Sequence, residues 1–556
     1  MRRSFRSSFP AFLLAAGCGD GSGPGQAVLE CDEVAVTALA PGQTALVDAS
    51  ETACVRLEET AGEYLYVAYS AAGTETREGT SAEYQLTAAA GAPPPVAVVR
   101  PLPIPALSRP SPALEFHSRL RERGQELARE RAGGRLKGRL GPAIKAPPPV
   151  TGEERTFNVL RSAAVSGQRA DDYVQVTGTA RYVGSHAAVF LDNAAPTLGG
   201  YSQADLQAIG ELFDDQLHPI SVNAFGAESD VNGDGLVLVL LTDRVTRLAG
   251  CGGGNVVVGL FFAVDLFADH VGSNNAEIFY ALTPNPDCGV DREFAVERLP
   301  AVFIHEFQHM INYHQKVLQR EGEAEDTWLD EGLSGFAEEL GGRLVPADRC
   351  LNQDCLTQFQ RDNLVNAYRY LGGMDSAYLI GPRQPPLPLT QYGATWLFVR
   401  WLADHFAAEP VVGTELTRSL VQTTRTGAEN VAAAADEPFA RLVGQWQLAN
   451  YLDDHPDFAT LTAGTRYGYD SWSFREVFAS FHQQAPETFP SAYPVEPDVF
   501  AGGDYAREGV LRAGSGRHLL VEQSPGPPLD LRLTAPGGET GLPATAAPRT
   551  LILRLR

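Results

Sequence analysis

Positive charge is scarce in this chain: 44 basic residues stand against 68 acidic ones, a net charge of −24. That balance excludes nucleic acid as a natural partner and favours solubility without naming a substrate. Long apolar runs are also missing. Beyond the first few residues, no stretch has the length and hydrophobicity of a membrane-spanning helix. Cysteine is sparse, seven in 556 residues, and no pair has the spacing of a tetrahedral zinc site. Histidine is scarce too, with eleven in all, so two placed four apart are informative.

Those two are His305 and His309, in the pentapeptide HEFQH. On a helix, residues four apart lie on one face, so both imidazoles can bind one zinc ion. Glu306 lies beside that face, where a carboxylate can act as general base toward the attacking water. Phe303, Phe307, Met310 and Ile311 recur at helical spacing and predict a buried stripe, and Pro300 suits the first turn of the helix. A catalytic zinc needs three protein ligands and one open position. The metzincin pattern requires glycine at 312 and histidine at 315; Asn312 and Gln315 stand there, which excludes that class.

The other common solution is a glutamate from a second helix. Thr327 to Ser334 reads TWLDEGLS, with Thr327 as a cap and Asp330 completing a capping box. Leu329, Leu333, Phe336, Ala337 and Leu340 form the apolar stripe of this helix. Glu331 points elsewhere, above Ser334 and Gly335, which are small enough for close helix approach. Glu338, two turns on, can accept the outer N–H of a ligand histidine. The acids at 321, 323, 325 and 339 read as solvated charge, and His314 as a surface or core histidine.

HEFQHMIN followed by WLDEGLS resembles the gluzincin metallopeptidases, most closely the hyicolysin-like family of secreted bacterial zinc endopeptidases. The resemblance extends from about 156 to 480, including SNNAEIFY, QYGATWLFVRWL and WQLANYLDD. It implies zinc held by His305, His309 and Glu331, Glu306 as base, and protein or peptide substrates. The 21 residues between His309 and Glu331 slightly exceed the usual gap, and the acidic stretch Glu321 to Asp326 can absorb the difference as a longer loop. In such enzymes an edge strand before the zinc helix pairs with the substrate. Glu277, Phe279 and Tyr280 mark the segment with the composition for it, although an ordinary core strand reads equally well. Tyr392, before Gly393 and Ala394, resembles the oxyanion-stabilising tyrosine of the aminopeptidase N family. His405 reads as packing on its own helix. The Gly-x-Met-Glu-Asn motif of those aminopeptidases is absent, which favours an endopeptidase. Glu277 is the residue that would hold a substrate amine in the aminopeptidase alternative. A further alternative is a non-catalytic adhesion lipoprotein with a structural metal.

Arg2, Arg3 and Arg6 precede the apolar run Phe9 to Ala16, and Leu14-Ala15-Ala16-Gly17-Cys18 resembles a lipobox. Residues 1–18 therefore read as a leader of an exported protein with lipidated Cys18, a membrane partner only through that anchor; the alternative is ordinary cleavage and release. The six remaining cysteines suggest disulfides Cys31–Cys54, Cys251–Cys288 and Cys350–Cys355 by nearest neighbour.

The expected class is multidomain α+β, a gluzincin-type catalytic domain at 156–480 with a mixed sheet and a helical part. A small β-sandwich at 26–92 and a β-domain at 481–556 flank it. Residues 93–155, rich in Pro and Arg, read as a linker. Their basic helical pattern (Arg119 to Arg139) reads as a solvated spacer, with a cover over the acidic body or a propeptide as the alternatives. Asp230, Asn232 and Asp234 match the first half of a calcium loop, but Leu241 stands where the closing glutamate belongs. An Asx-rich turn is the simpler reading, and calcium stays open.

Overall fold

The computed structural model describes residues 31–90, 111–136, 145–251, 256–383 and 388–556. The leader and Cys18 lie outside them. The architecture is mixed α+β: two five-stranded sheets, one six-stranded sheet and a helical half.

The two five-stranded sheets form one β-sandwich. One runs in the order Val36–Thr37, Cys54–Leu57, Leu529–Thr534, Ser81–Ala90, Tyr505–Arg512. The other runs Asp498–Phe500, Gly516–Gln523, Gly62–Ser70, Pro548–Arg554, Thr44–Asp48. Both ends of the chain thus share each sheet. Gly62–Ser70 lies between two C-terminal strands, paired antiparallel to each. This differs from the expectation of separate β-domains at 26–92 and 481–556. Neither segment alone has enough strands to bury both sheet faces, so they complete each other around Tyr64, Tyr66, Leu86, Leu519, Leu533 and Ile552. Cys31–Cys54 ties the first of these segments, and Cys251–Cys288 and Cys350–Cys355 are also joined, as nearest-neighbour pairing predicts.

The six-stranded sheet has the order Gly259–Phe261, Ile278–Ala281, Val237–Leu241, Ala187–Asp192, Tyr173–Val183, Glu154–Leu160. Ile278–Ala281 is paired on both sides, antiparallel to Gly259–Phe261 and parallel to Val237–Leu241. The edges of this sheet are therefore Glu154–Leu160 and, on the side of the histidine helix, the buried strand Gly259–Phe261, and not the segment of Glu277, Phe279 and Tyr280. Phe279 instead packs its ring on Phe213 and Phe303, and the Tyr280 hydroxyl donates to Asp265 Oδ2 at 2.8 Å.

The histidine helix spans Arg292–Tyr313, capped by the Asp291 side chain, which accepts from the Phe294 N–H. Pro300 lies inside it rather than in its first turn. Phe303, Phe307, Met310 and Ile311 are fully buried, as the helical spacing predicts. The glutamate helix spans Thr327–Leu344 and packs across the histidine helix, where the Ser334 hydroxyl donates to Gln308 Oε1 at 2.6 Å. Its N-cap is Asp326, not Thr327, and no capping box forms. A carboxylate from the sandwich side serves this terminus instead: Glu75 accepts from the Trp328 N–H. Behind both helices the bundle includes Cys355–Leu371, Leu389–Phe406 and Phe439–Leu452, packed around the fully buried Trp328, Trp396, Trp401 and Trp446. Among the described residues, no helix is long and apolar enough to cross a membrane.

Pro112–Ala132 forms a helix with Ser111 as N-cap and Pro112 in its first turn. It is not a solvated spacer. Phe116, Leu120, Arg123, Leu127 and Ala128 are buried against the body of the protein.

Candidate metal centre

The two zinc-motif helices place three side chains at one point. His305 Nε2 and His309 Nε2 are 3.1 Å apart. Glu331 Oε2 lies 3.5 Å from the first and 3.7 Å from the second. Zinc–ligand bonds of roughly 2.0–2.2 Å at tetrahedral angles require ligand atoms about 3.3–3.6 Å apart, which this triangle nearly matches. Glu331 Oε2 is also buried without a hydrogen-bond partner among the described residues, although its other oxygen has one. An orphaned carboxylate oxygen facing two imidazole nitrogens fits a zinc ion and is costly without one. Burial opposes ionisation of Glu331, but Arg121 and the two histidines hold its carboxyl well below the usual range.

The outer nitrogens of the two candidate ligand rings are both fixed. His305 Nδ1 is 2.7 Å from Glu338 Oε1, and Asn363 Nδ2 donates to the other oxygen of Glu338 at 2.8 Å. This is the contact expected of Glu338. His309 Nδ1 is 2.9 Å from Asp330 Oδ2, while Asn312 Nδ2 donates to Asp330 Oδ1. The role of Asp330 was missed in the sequence, where it read as half of a capping box. Its position immediately before the candidate ligand Glu331 was the available signal.

Glu306 is buried, and its Oε2 accepts from the Phe261 N–H at 2.7 Å. The edge strand and the candidate base are therefore joined directly. Gly259 permits this: a Cβ there would collide with Val302 of the histidine helix. Tyr392 sits in the first turn of Leu389–Phe406. Burial, reinforced by the charge of Glu331, holds its phenol well above the ordinary tyrosine value, so the hydroxyl remains a donor.

Other expected residues fall elsewhere. Glu277 is buried, and its Oε1 accepts from the Ser229 hydroxyl at 2.5 Å and the Val231 N–H at 2.9 Å. It fastens the loop of Asp230, Asn232 and Asp234 to the sheet. That loop closes on itself: the Asp234 N–H donates to Asn232, the Leu236 N–H to Asp234 and the Gly235 N–H to Asp230, the arrangement of Asx turns. Glu325 and Glu339 are not solvated. Glu325 is buried with Lys316 Nζ at 2.9 Å, and Glu339 accepts from the Trp396 and Trp472 indoles beside Arg400. His314 is half-buried, and burial lowers its imidazole to about 4. His405 packs on its helix with Nε2 2.9 Å from the Gly468 carbonyl oxygen.

No family model matches the chain. Over 188 residues it is 32% identical to the neutral metalloprotease ShpI of Staphylococcus hyicus, a stretch covering 33% of this chain. The same stretch covers 40% of ShpI, so the chain spans well under half the length of that metalloprotease.

Proposed function

We propose that the protein is an exported zinc metallopeptidase of gluzincin type that cuts peptide chains internally. The observation that carries this reading is the convergence of His305, His309 and Glu331 within 4.8 Å, with Glu306 on the next helical position and held by the edge strand. Zinc, when bound there, supplies a Lewis acid that polarises the scissile carbonyl and acidifies the attacking water. Glu306 takes the proton of that water and passes it to the leaving amine. The phenol of Tyr392 donates a hydrogen bond to the oxyanion that forms on the carbonyl. Gly259–Phe261, as the edge strand beside Glu306, pairs with the substrate backbone by strand addition.

An aminopeptidase would need an acid free to hold the substrate amine. Glu277 is engaged by Ser229 and Val231 inside the protein, which supports internal cleavage. Three disulfides support an oxidising compartment, with Cys18 as the lipid-anchored residue. Metabolic labelling with a fatty-acid analogue tests the anchor, and a Cys18→Ser chain that still labels refutes it.

Glu306→Gln tests the chemistry. It keeps the acceptor for the Phe261 N–H but removes the base, so zinc content stays at one per chain. Peptide hydrolysis falls roughly a hundred- to ten-thousandfold. Undiminished turnover in that variant would refute the assignment. Tyr392→Phe lowers kcat roughly a hundredfold with KM little changed.

A further inference from the structure

The cleft above the candidate metal centre is filled by this chain's own helix, Pro112–Ala132. Arg121 Nε donates to Glu331 Oε1 at 2.9 Å and lies 3.7 Å from Asp330 Oδ2. Its side chain is 9% exposed, so this is a buried ion pair aimed at the ligand set and not a surface contact. The pairing uses the glutamate oxygen that points away from the histidines and leaves Oε2 for the metal. The helix and a bound zinc ion are therefore compatible.

The rest of the helix is fitted to the same groove. Leu120, Arg121 and Gly124 face Phe261 and Ala263 on one wall and His309, Asn312 and Tyr313 on the other. Only about 30 Å³ remains between them, space for a water or two and not for a peptide. The Tyr313 hydroxyl donates to the Gly124 carbonyl, Arg131 to the Leu318 carbonyl and Ser118 to the Arg383 carbonyl. Arg123 meets His270 at 3.1 Å. The charges of Glu306 and Glu331 reach His117 on the same helix. Phe261 ends the edge strand on which a substrate would pair, so helix and substrate compete for one place.

We infer that Pro112–Ala132 is an autoinhibitory plug, with Arg121 clamped on the metal ligand Glu331 and Leu120 and Leu127 seating the helix in the substrate cleft. The plug regulates the site proposed above and rests on that reading for its biological meaning. Its occupancy of the cleft can be measured without turnover.

Two disruptions of the full chain, loaded with zinc, test it: Arg121→Ala, and the pair Leu120→Asp with Leu127→Asp. Cleavage of a quenched fluorogenic peptide is followed in each. Binding of a peptide hydroxamate is followed with each placed on Glu306→Gln. Both disruptions are expected to raise cleavage about tenfold or more and tighten hydroxamate binding by a similar factor. A synthetic peptide of residues 111–132 then inhibits the disrupted chains, and its Arg121→Ala form does so about tenfold less well. Hydroxamate binding to the undisrupted chain as tight as to the Leu120/Leu127 variant overturns the plug, whatever the cleavage rate. So does a fall in cleavage in both variants at full zinc content. Tighter hydroxamate binding with no cleavage by any variant upholds the plug and refutes the peptidase reading instead.

Discussion

Two helices of this chain carry rows of charged residues, and they use them to different ends. In Thr327–Leu344 each inward acid has its own partner: Asp330 has His309, Glu331 the metal corner and Arg121, Glu338 has His305, and Glu339 has two indoles and Arg400. In Pro112–Ala132 Arg121 reaches outside its own helix to Glu331 and Asp330, while Arg123 pairs with Glu126 and Glu130 of its own helix and also meets His270 of the cleft wall. On the function proposed above, the first helix is a fixed part of a site and the second is a ligand for it. The difference lies in what remains when each is withdrawn. Without the first there is no metal corner. Without the second the corner survives and its cleft opens.

The largest effect that can break this contrast comes from the ligands themselves. Glu331→Ala and His309→Ala are expected to lose stoichiometric zinc, measured by mass spectrometry of the dialysed protein. Hydrolysis should fall roughly a thousandfold or more. Glu331→Ala also removes the nearer partner of Arg121 and leaves only Asp330 at 3.7 Å among its two acids, so the plug's clamp weakens in the same variant. A chain that keeps one tightly held zinc after Glu331→Ala would make the glutamate helix no more essential than the plug.

A smaller effect sharpens the contrast within the first helix. Asp330→Asn and Glu338→Gln keep the shapes but remove the charges that fix the two imidazoles, and each should weaken zinc roughly ten- to a hundredfold. Competition with a chromophoric chelator reads this directly. Asp330→Asn carries a second consequence, because Asp330 also faces Arg121 at 3.7 Å. It should loosen both metal and plug, whereas Glu338→Gln should loosen the metal alone.

The metal corner was legible because its signals are local. HEFQH puts two imidazoles on one face, and WLDEGLS combines an acid with the small residues that close packing demands. Both depend on periodicity within a single helix. The plug was legible only in part. A propeptide was one reading of the segment, and Phe116, Leu120, Leu127 and Ala128 mark an apolar face amid its charges, but only Glu331, 210 residues away, distinguishes Arg121 from its neighbours. The sandwich failed in the same way, since Gly62–Ser70 finds its partner strands more than four hundred residues further on. The segment of Glu277, Phe279 and Tyr280 was left open between an edge and a core strand although a deciding signal existed. Ile278–Ala281 is apolar at successive positions and buried throughout, the mark of an interior strand, while the short glycine-led Gly259–Phe261 takes the edge. Pro300 alone placed the expected helix start, because proline is tolerated at a first turn more often than inside a helix; the Asp291 cap went unread.

The smallest effect extends the contrast to an acid that, among the described residues, has no cation paired with it. Asp330 and Glu331 are held ionised by His309 and Arg121 against the cost of burial. Glu277 has only Ser229 and Val231 as partners, and burial pushes its carboxyl up from 4.5 to about 7. The folded chain therefore keeps this proton where the unfolded chain has released it. Below pH 4.5 the full contribution to stability is present; it declines as pH rises and is gone above about 7. Glu277→Gln preserves the oxygen that accepts from Ser229 and Val231 but does not titrate. Relative to the parent, its melting temperature should rise by on the order of a few degrees between pH 5 and pH 8. Metal loading affects both chains alike and cancels in the difference. A difference that stays flat with pH would mean that Glu277 is ionised in the folded protein, leaving it a charge to offer a substrate amine and returning the aminopeptidase reading to contention.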